Sequence, residues 1–207
     1  MFDALTFEKM IKKLEEQQKS FKVIGIIFCN PNHKFAKEQI LDRIDQYYYG
    51  SSEYIDFYLP GYGAYWNDKY DDKQVVCKVN GIEWYYSEKE YRNFINKLEE
   101  VSKWKYSGEC EVLFLEYKNK SLDFKNSISI WLDKAIQDKK IYSVPSEFEK
   151  IFRYCKSGKN LNQISNKACS QSLVNTGIEE VIKVTGIFGK LYSNSNYAVT
   201  KNLNKER

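Results

Sequence analysis

Apolar and polar positions fall into blocks along residues 21–59, and these blocks predict a strand, a helix and a second strand. The first block, FKVIGIIF at 21–28, is a nearly continuous apolar run rich in β-branched residues, which is typical of a strand buried on both faces. Asn30-Pro31-Asn32 ends this strand, because Pro31 lacks the N–H that a sheet requires, and Asn32 is the predicted N-cap of the following helix. Apolar residues then recur at helical intervals at Phe35, Ala36, Ile40, Ile44 and Tyr47. YIDFYL at 54–59 predicts the second strand, and a β-α-β unit normally makes its two strands parallel neighbours.

The remaining pattern predicts four more helices, a hairpin and one more buried strand. Asn80-Gly81 lies between two strand-like runs and favours a type I′ hairpin turn. Thr6, Asp123 and the capping-box pair Ser87 and Glu90 each precede a helical periodicity. The predicted helices lie at 7–18, 88–103, 124–138 and 147–155, the hairpin strands at 75–79 and 82–86, and the buried strand VLFLEY at 112–117.

Together these elements predict an α/β fold: a central, mostly parallel sheet with helices on both faces, an inserted β-hairpin and a helical C-terminal extension. Beyond Ser157-Gly158 the composition shifts toward Ser, Asn, Gln and Lys. We therefore expect an α/β domain at 1–156 and a polar extension at 157–207, with short helices near 161–173 and 178–184. The pattern leaves strand order open, so thioredoxin-like, TIR-like and flavodoxin-like sheets are alternatives.

Composition limits the class of protein. The 207 residues carry 32 basic and 28 acidic side chains, and the net charge of +4 gives no case for nucleic acid as the main partner. Five cysteines form no C-x-x-C pair, and the charged first twenty residues do not resemble a signal peptide, which favours the cytoplasm. The sequence holds no apolar run of membrane-spanning length, so we expect a soluble protein without a membrane partner. Abundant Lys, Asn, Ile and Tyr suggest an AT-rich, bacterial genome.

Polar and aromatic residues follow both strands of the central unit. Parallel neighbours end at the same edge of a sheet, and open α/β sheets bind ligands there. Asn30, Asn32 and His33 follow the first strand, whereas Tyr62 and Tyr65 follow the second. His33 is the single histidine, which excludes a His-rich metal site; it is a candidate general base or phosphate contact, with a solvent-facing turn residue as the alternative. The two tyrosines are candidates for stacking on a base or sugar, with ordinary packing as the alternative.

Two carboxylates near the end of the third apolar strand complete the predicted site. Glu116 and Asp123 are candidate catalytic residues, since a carboxylate at the carboxyl edge acts as a general base or holds a ribose hydroxyl. Asp123 has the alternative role of helix N-cap. The sequence contains no Walker A motif, no G-x-G-x-x-G, no G-x-S-x-G and no H-E-x-x-H, and no spacing predicts a metal site or identifies a cofactor.

Cys29-Asn30-Pro31-Asn32, directly after a strand and before a helix, resembles the active-site turn of the thioredoxin superfamily, whose pattern is Cys-x-Pro-Cys. The resemblance implies a nucleophilic thiol at Cys29. Asn32 occupies the position of the second cysteine, and no proline precedes Val112 where the family places its cis-proline. The alternatives are a degenerate thioredoxin-like protein and a buried structural cysteine.

The leading functional hypothesis is a protein that binds a nucleotide-like small ligand at the carboxyl edge. By analogy of fold, it would be a nucleotide- or NAD-processing effector of the TIR kind, with Glu116 or Asp123 as the catalytic carboxylate. The second hypothesis is a non-enzymatic protein-interaction module, in which the aromatic residues of 62–66 and the polar extension are partner surfaces.

Overall fold

A computed structural model describes residues 2–4, 6–17, 21–51, 55–66, 70–156, 161 and 198–205. The strands within these ranges are β1 (Phe2–Ala4), β2 (Phe21–Phe28), β3 (Asp56–Pro60), β4 (Tyr62–Ala64), β5 (Gln74–Val79), β6 (Ile82–Tyr86), β7 (Glu111–Lys118), β8 (Ser121–Trp131) and β9 (Ala198–Lys201). The helices are α1 (Phe7–Glu16), α2 (Lys34–Gln39), α3 (Ile44–Ser51), α4 (Glu88–Val101), α5 (Leu132–Gln137) and α6 (Val144–Lys156), with a 3₁₀ turn at Leu41–Arg43. No helix in these ranges is both long enough and apolar enough to cross a bilayer.

The α/β class is confirmed, but the prediction of a mostly parallel sheet is wrong. The main sheet has the order β1-β3-β2-β7-β8-β9. Its first three strands are parallel neighbours, as the β-α-β unit predicts, whereas β2–β7, β7–β8 and β8–β9 are antiparallel. For β7 and β8 the cause is a tight hairpin: Asn119 and Lys120 both have positive φ, 51° and 59°, and a two-residue loop of this kind can join only antiparallel strands.

The predicted helix at 124–138 is also wrong in most of its length. Residues 121–131 form β8, and only Leu132–Gln137 is helical. The segment Ser127 to Ile130 alternates serine with isoleucine, which is the period of a strand with two different faces. Pairing with β7 on one side and β9 on the other then overrides the helical spacing of Ile128, Trp131 and Leu132.

Local signals in the rest of the chain hold better. The Thr6 side chain accepts from the Lys9 N–H and the Ser87 side chain from the Glu90 N–H, so these two predicted N-caps are confirmed. The third, Asp123, is wrong, because Asp123 lies inside β8. Asn80 and Gly81, with φ 51° and 77°, form the predicted hairpin turn of a separate β4-β6-β5 sheet.

The helix of the central unit differs from the prediction in two ways. It is divided into α2, the 3₁₀ turn and α3, and its N-cap is His33 rather than Asn32. The second strand runs over Asp56–Pro60, and Tyr54 lies outside the described residues.

Helices cover both faces of the main sheet. On one face, Phe57 of β3 stacks on Phe148 of α6 with ring centres 4.9 Å apart. Gly25 makes room for this layer, because a Cβ there would lie 2.5 Å from the Phe57 ring. On the other face, Phe28 contacts Phe94 of α4. Lys22 Nζ and Asp56 Oδ2, 2.5 Å apart, form a buried ion pair that joins β2 and β3 near the amino ends of both strands.

The C-terminal part contributes to the sheet. β9 pairs with residues 127–130 of β8, and the Leu203 N–H donates to the Phe124 carbonyl. The predicted short helices near 161–173 and 178–184 lie outside the described residues apart from Leu161. The division into a domain at 1–156 and an extension at 157–207 stays a prediction.

Candidate functional site

The carboxyl end of β2 borders a cavity of about 320 Å³. Because β7 runs antiparallel to β2, with Phe28 opposite Glu111, the loop that precedes β7 reaches the same edge. The cavity is therefore formed by the turn after β2, one side of α4 and the loop at 106–108. Its lining residues are Asn30, His33, Glu88, Tyr91, Arg92, Ile95, Asn96, Tyr106 and Gly108.

Glu88 organises the polar side of this cavity. Its Oε2 accepts from Asn30 Nδ2 at 2.9 Å and from the Tyr86 hydroxyl at 2.7 Å, and its Oε1 accepts from Arg92 Nε at 2.8 Å. Burial and the adjacent Glu88 carboxylate raise the pKa of Tyr86, which keeps the phenol as a donor. Since Glu88 engages only Nε, the guanidinium of Arg92 keeps further N–H groups for another anion. The network thus fixes Asn30 and Arg92 in place at the cavity wall.

The turn after β2 brings two of its three predicted residues to the cavity. Asn30 and His33 line it, while Asn32 is exposed and lies outside the lining. The Asn32 N–H donates to Asn30 Oδ1 at 3.0 Å and the His33 N–H donates to the Asn30 carbonyl at 3.0 Å. These hydrogen bonds fix the Asn30 side chain in the turn. Asn32 contributes its backbone N–H rather than its side chain.

The predicted stacking residues occupy two different environments. Tyr62 is fully buried, and its hydroxyl donates to the Cys29 carbonyl at 2.8 Å. Its ring packs on that of Tyr86, with ring centres 4.9 Å apart. Tyr65 is 78% exposed and has a φ of 57°. Neither lines the cavity, and the position of Tyr62 favours the packing alternative over stacking on a ligand.

Cys29 is enclosed by the core. Its side chain has no exposed surface, and burial raises the pKa of the thiol to about 12, against the weak hydrogen bond to the Tyr62 hydroxyl. A nucleophilic thiol needs the opposite shift, so this environment fits a structural cysteine. The thioredoxin resemblance stays a prediction.

Glu116 and Asp123 lie at the opposite end of the sheet from Asn30 and His33. β7 is antiparallel to β2, so Glu116 pairs with Val23 near the start of β2, and Asp123 faces Glu116 across the β7–β8 pair. Our expectation of a shared edge is wrong because it assumed a parallel β7.

Both carboxylates have their own partners there. Glu116 Oε1 accepts from the Leu161 N–H at 2.9 Å, and Lys118 pairs with Glu116 and Asp123. Burial acts to raise the pKa of Asp123, but hydrogen bonds from Lys118 and the Lys125 N–H outweigh it and lower that pKa. This is the environment of a structural ion pair.

Glu111 is a carboxylate that does lie at the carboxyl edge of β2, and sequence reasoning did not predict it as a site residue. It is 1% exposed, and burial raises its pKa to about 7. Hydrogen bonds from the Ser107 hydroxyl and from the indoles of Trp131 and Trp104 act in the opposite direction and lower it. The available signal was a glutamate at the start of an apolar strand, where a charge is costly to bury. Glu88 and Arg92 were not predicted as site residues, because an i,i+4 ion pair on a helix usually lies on the solvent-exposed face.

Among the described residues, no three His, Cys, Asp or Glu side chains form a cluster suited to a metal ion. Comparisons with protein-family models, curated proteins and solved structures give no significant match.

Proposed function

We propose that this chain binds a nucleotide-like small ligand in the cavity lined by Asn30, His33 and Arg92. The observation that carries the proposal is the position of this cavity: Asn30 and His33, from the turn at the carboxyl end of β2, line it, β2 runs parallel to β3, and α/β sheets bind ligands at such carboxyl ends. Its volume of about 320 Å³ is at the small end of ligand sites, which suits one nucleoside or mononucleotide.

The phosphate contact in this proposal is Arg92. The N-terminus of α4 would otherwise attract an anion, but Asp72 already occupies it: this carboxylate accepts from the Lys89 N–H at 2.9 Å and the Ser87 hydroxyl at 2.7 Å. Arg92 is 74% exposed at the cavity wall and its guanidinium geometry matches phosphate. A phosphate group would therefore lie toward Arg92 on the solvent side.

The base and sugar would occupy the inner part of the cavity. Tyr91 and Tyr106, joined by a hydrogen bond of 2.8 Å between their hydroxyls, supply aromatic surface, and the amide groups of Asn30 and Asn96 supply donors and acceptors. We propose binding rather than catalysis, because Glu116 and Asp123 are distant from this cavity and Glu88 is engaged by three donors.

The test is calorimetric titration and thermal shift with AMP, ADP and NAD, and with inorganic phosphate as the non-nucleotide probe. Arg92→Gln removes a charge-assisted contact and should weaken a phosphorylated ligand about tenfold or more. The matched control is Arg153→Gln, because Arg153 forms the same i,i+4 pair with Glu149 at a similar exposure of 75% but lies on α6. His33→Ala should also weaken binding while leaving stability within about 1 kcal/mol.

If no nucleotide raises the wild-type melting temperature at millimolar concentration, the proposal fails. Equal weakening by Arg92→Gln and Arg153→Gln would also contradict it, since the effect would then come from overall charge.

A protein-interaction module is the second candidate, and Tyr65 favours it. This side chain is 78% exposed beside buried Trp66, and Val75 on β5, in the same three-stranded sheet, is 54% exposed. Tyr65→Ala would abolish binding to a protein partner without a loss of melting temperature, whereas Tyr142→Ala, at a 94% exposed site on another loop, is the control.

A further inference from the structure

The cavity proposed above for a nucleotide, called the nucleotide cavity below, has a lining suited to a single phosphate group. Among its described lining residues, the one permanent cation is Arg92 and the one carboxylate is Glu88. Arg92 Nε donates to Glu88 Oε1 at 2.8 Å, and this contact leaves the two terminal nitrogens of the guanidinium outside the pair. Their N–H groups match two oxygens of one phosphate in a bidentate contact.

The lysines next to the lining add little attraction for a second phosphate. Four lysines are adjacent in sequence to a lining residue, and each lies beside a carboxylate; the pairs are Lys34 with Glu38, Lys89 with Asp72, Lys97 with Glu100, and Lys105 with Glu99. A carboxylate beside an ammonium group offsets its positive charge. A second phosphate at the rim would therefore meet pairs of opposite charges rather than a cation alone.

Two acidic side chains, Glu109 and Asp133, adjoin the loop that closes the nucleotide cavity. Glu109 directly follows Gly108, which lines the cavity. The Leu132 N–H donates to the Cys110 carbonyl at 2.8 Å, which continues the β7–β8 ladder and places Glu109 opposite Asp133. Asp133 Oδ2 accepts from the Cys110 N–H at 3.3 Å, so this carboxylate is held beside the loop.

These two groups give the adjoining part of the cavity a negative potential. A hydrogen bond to Asp133, together with the like charge of that group, raises the pKa of Glu109, whereas His33 acts to lower it. His33 lines the cavity, so the Glu109–Asp133 pair is close enough to act on a charged ligand there. The pair holds one negative charge when it shares a proton and two when it does not, and both states repel an anion.

We propose that the nucleotide cavity selects nucleoside monophosphates over nucleoside di- and triphosphates. Arg92 binds the single phosphate, and the Glu109–Asp133 pair repels the negative charge that each further phosphate adds. This inference rests on the proposed nucleotide function and assigns to the same cavity the number of phosphates and the residues that select it.

The experiment is a calorimetric titration of the full chain with AMP, GMP, CMP and UMP and with the corresponding di- and triphosphates. EDTA is present, so that no divalent cation neutralises the phosphates. At about 20 mM salt we expect the best monophosphate to bind about fivefold or more tightly than its diphosphate, and the triphosphate to bind most weakly. At about 300 mM salt the preference should become smaller, because salt screens exposed charges.

The double variant Glu109→Gln/Asp133→Asn removes the charge of the pair and keeps the shape of both side chains. At low salt it should strengthen diphosphate binding more than monophosphate binding, so that the preference falls to about twofold or less. The matched control is Glu15→Gln/Glu16→Gln, which changes the net charge equally at two exposed positions near the C-terminus of α1 and should keep the wild-type preference. If the first double variant fails to fold, Glu109→Gln alone serves, because Glu109 is exposed.

The outcomes separate this inference from the proposed function. If no nucleotide binds the wild type at millimolar concentration, the proposed function fails and the selection fails with it. If nucleotides bind but a diphosphate or triphosphate binds as tightly as the monophosphate at low salt, the proposed function stands and the selection is overturned. An equal loss of preference in the two double variants would also overturn it, since the effect would then come from net charge.

Discussion

The buried Glu111 carboxylate should make the stability of the protein fall as pH rises from about 4.5 to about 7. The perturbation is Glu111→Gln, compared with the wild type from pH 4.5 to pH 8. Burial raises the pKa of Glu111 from the usual 4.5 to about 7. Below pH 4.5 the group is protonated in both folded and unfolded chains and contributes nothing to the difference. Between pH 4.5 and 7 the unfolded chain ionises first, so the free energy of unfolding decreases.

The magnitude follows from the two pKa values. A separation of about 2.5 pH units, at about 1.36 kcal/mol per unit, gives about 3 kcal/mol of destabilisation that is fully present above pH 7. Glutamine cannot ionise, so the variant escapes this loss. The groups that face Glu111 are unchanged in the variant and cancel in the comparison; they are Ser107, Cys110, Asp133, Tyr106, Lys103 and Lys105.

Urea unfolding at half-unit pH steps measures this difference. We expect the stability of Glu111→Gln relative to the wild type to increase by about 3 kcal/mol between pH 4.5 and pH 8. Glu16→Gln is the control, because Glu16 is exposed and its ion pair with Lys12, at 3.9 Å, is weak. The stability of Glu16→Gln relative to the wild type should therefore stay nearly constant with pH. A constant difference for Glu111→Gln would show that the carboxyl titrates normally and would refute the reasoning.

Three further predictions follow from buried polar groups. Lys22→Met deprives buried Asp56 of the ammonium group 2.5 Å away and should cost about 3–5 kcal/mol in urea unfolding, and a loss below about 1 kcal/mol would contradict a desolvated ion pair. Cys29 should react with a thiol reagent only after denaturation, since its side chain is fully buried and burial raises the pKa of the thiol to about 12; rapid labelling of the native protein would contradict this. Tyr62→Phe removes the donor to the Cys29 carbonyl and should lower the free energy of unfolding by about 1–3 kcal/mol, whereas Tyr65→Phe at an exposed site should change it by less than about 0.5 kcal/mol; equal effects would place Tyr62 outside the core.

Signals that act over a few residues predicted local structure well. Thr6, Ser87 and the Asn80-Gly81 turn each depend on neighbouring backbone groups, and each has the expected geometry. The direction of β7 depends on a contact with β2 from a distant part of the chain, and no local pattern encodes it. The β7–β8 turn was missed because Asn119 is followed by lysine rather than glycine, although both residues adopt positive φ.

The candidate site was predicted in part for the same reason. Asn30 and His33 follow a strand whose direction and neighbour were predicted, and they line the nucleotide cavity. Glu116 was assigned to the wrong edge because its position depends on the direction of β7. Glu111 could have been found only with that direction known, since antiparallel pairing makes the first residue of β7, rather than the last, the one at the carboxyl edge of β2.

The position of β2 between β3 and β7 has a consequence for synthesis on the ribosome. β3 emerges soon after β2 and closes one edge of this apolar strand, but the other edge stays open until β7 has been translated. An open apolar edge pairs readily with other chains. The interval in which the nascent chain most needs protection from aggregation therefore lies between the emergence of residues 21–28 and that of residues 111–118.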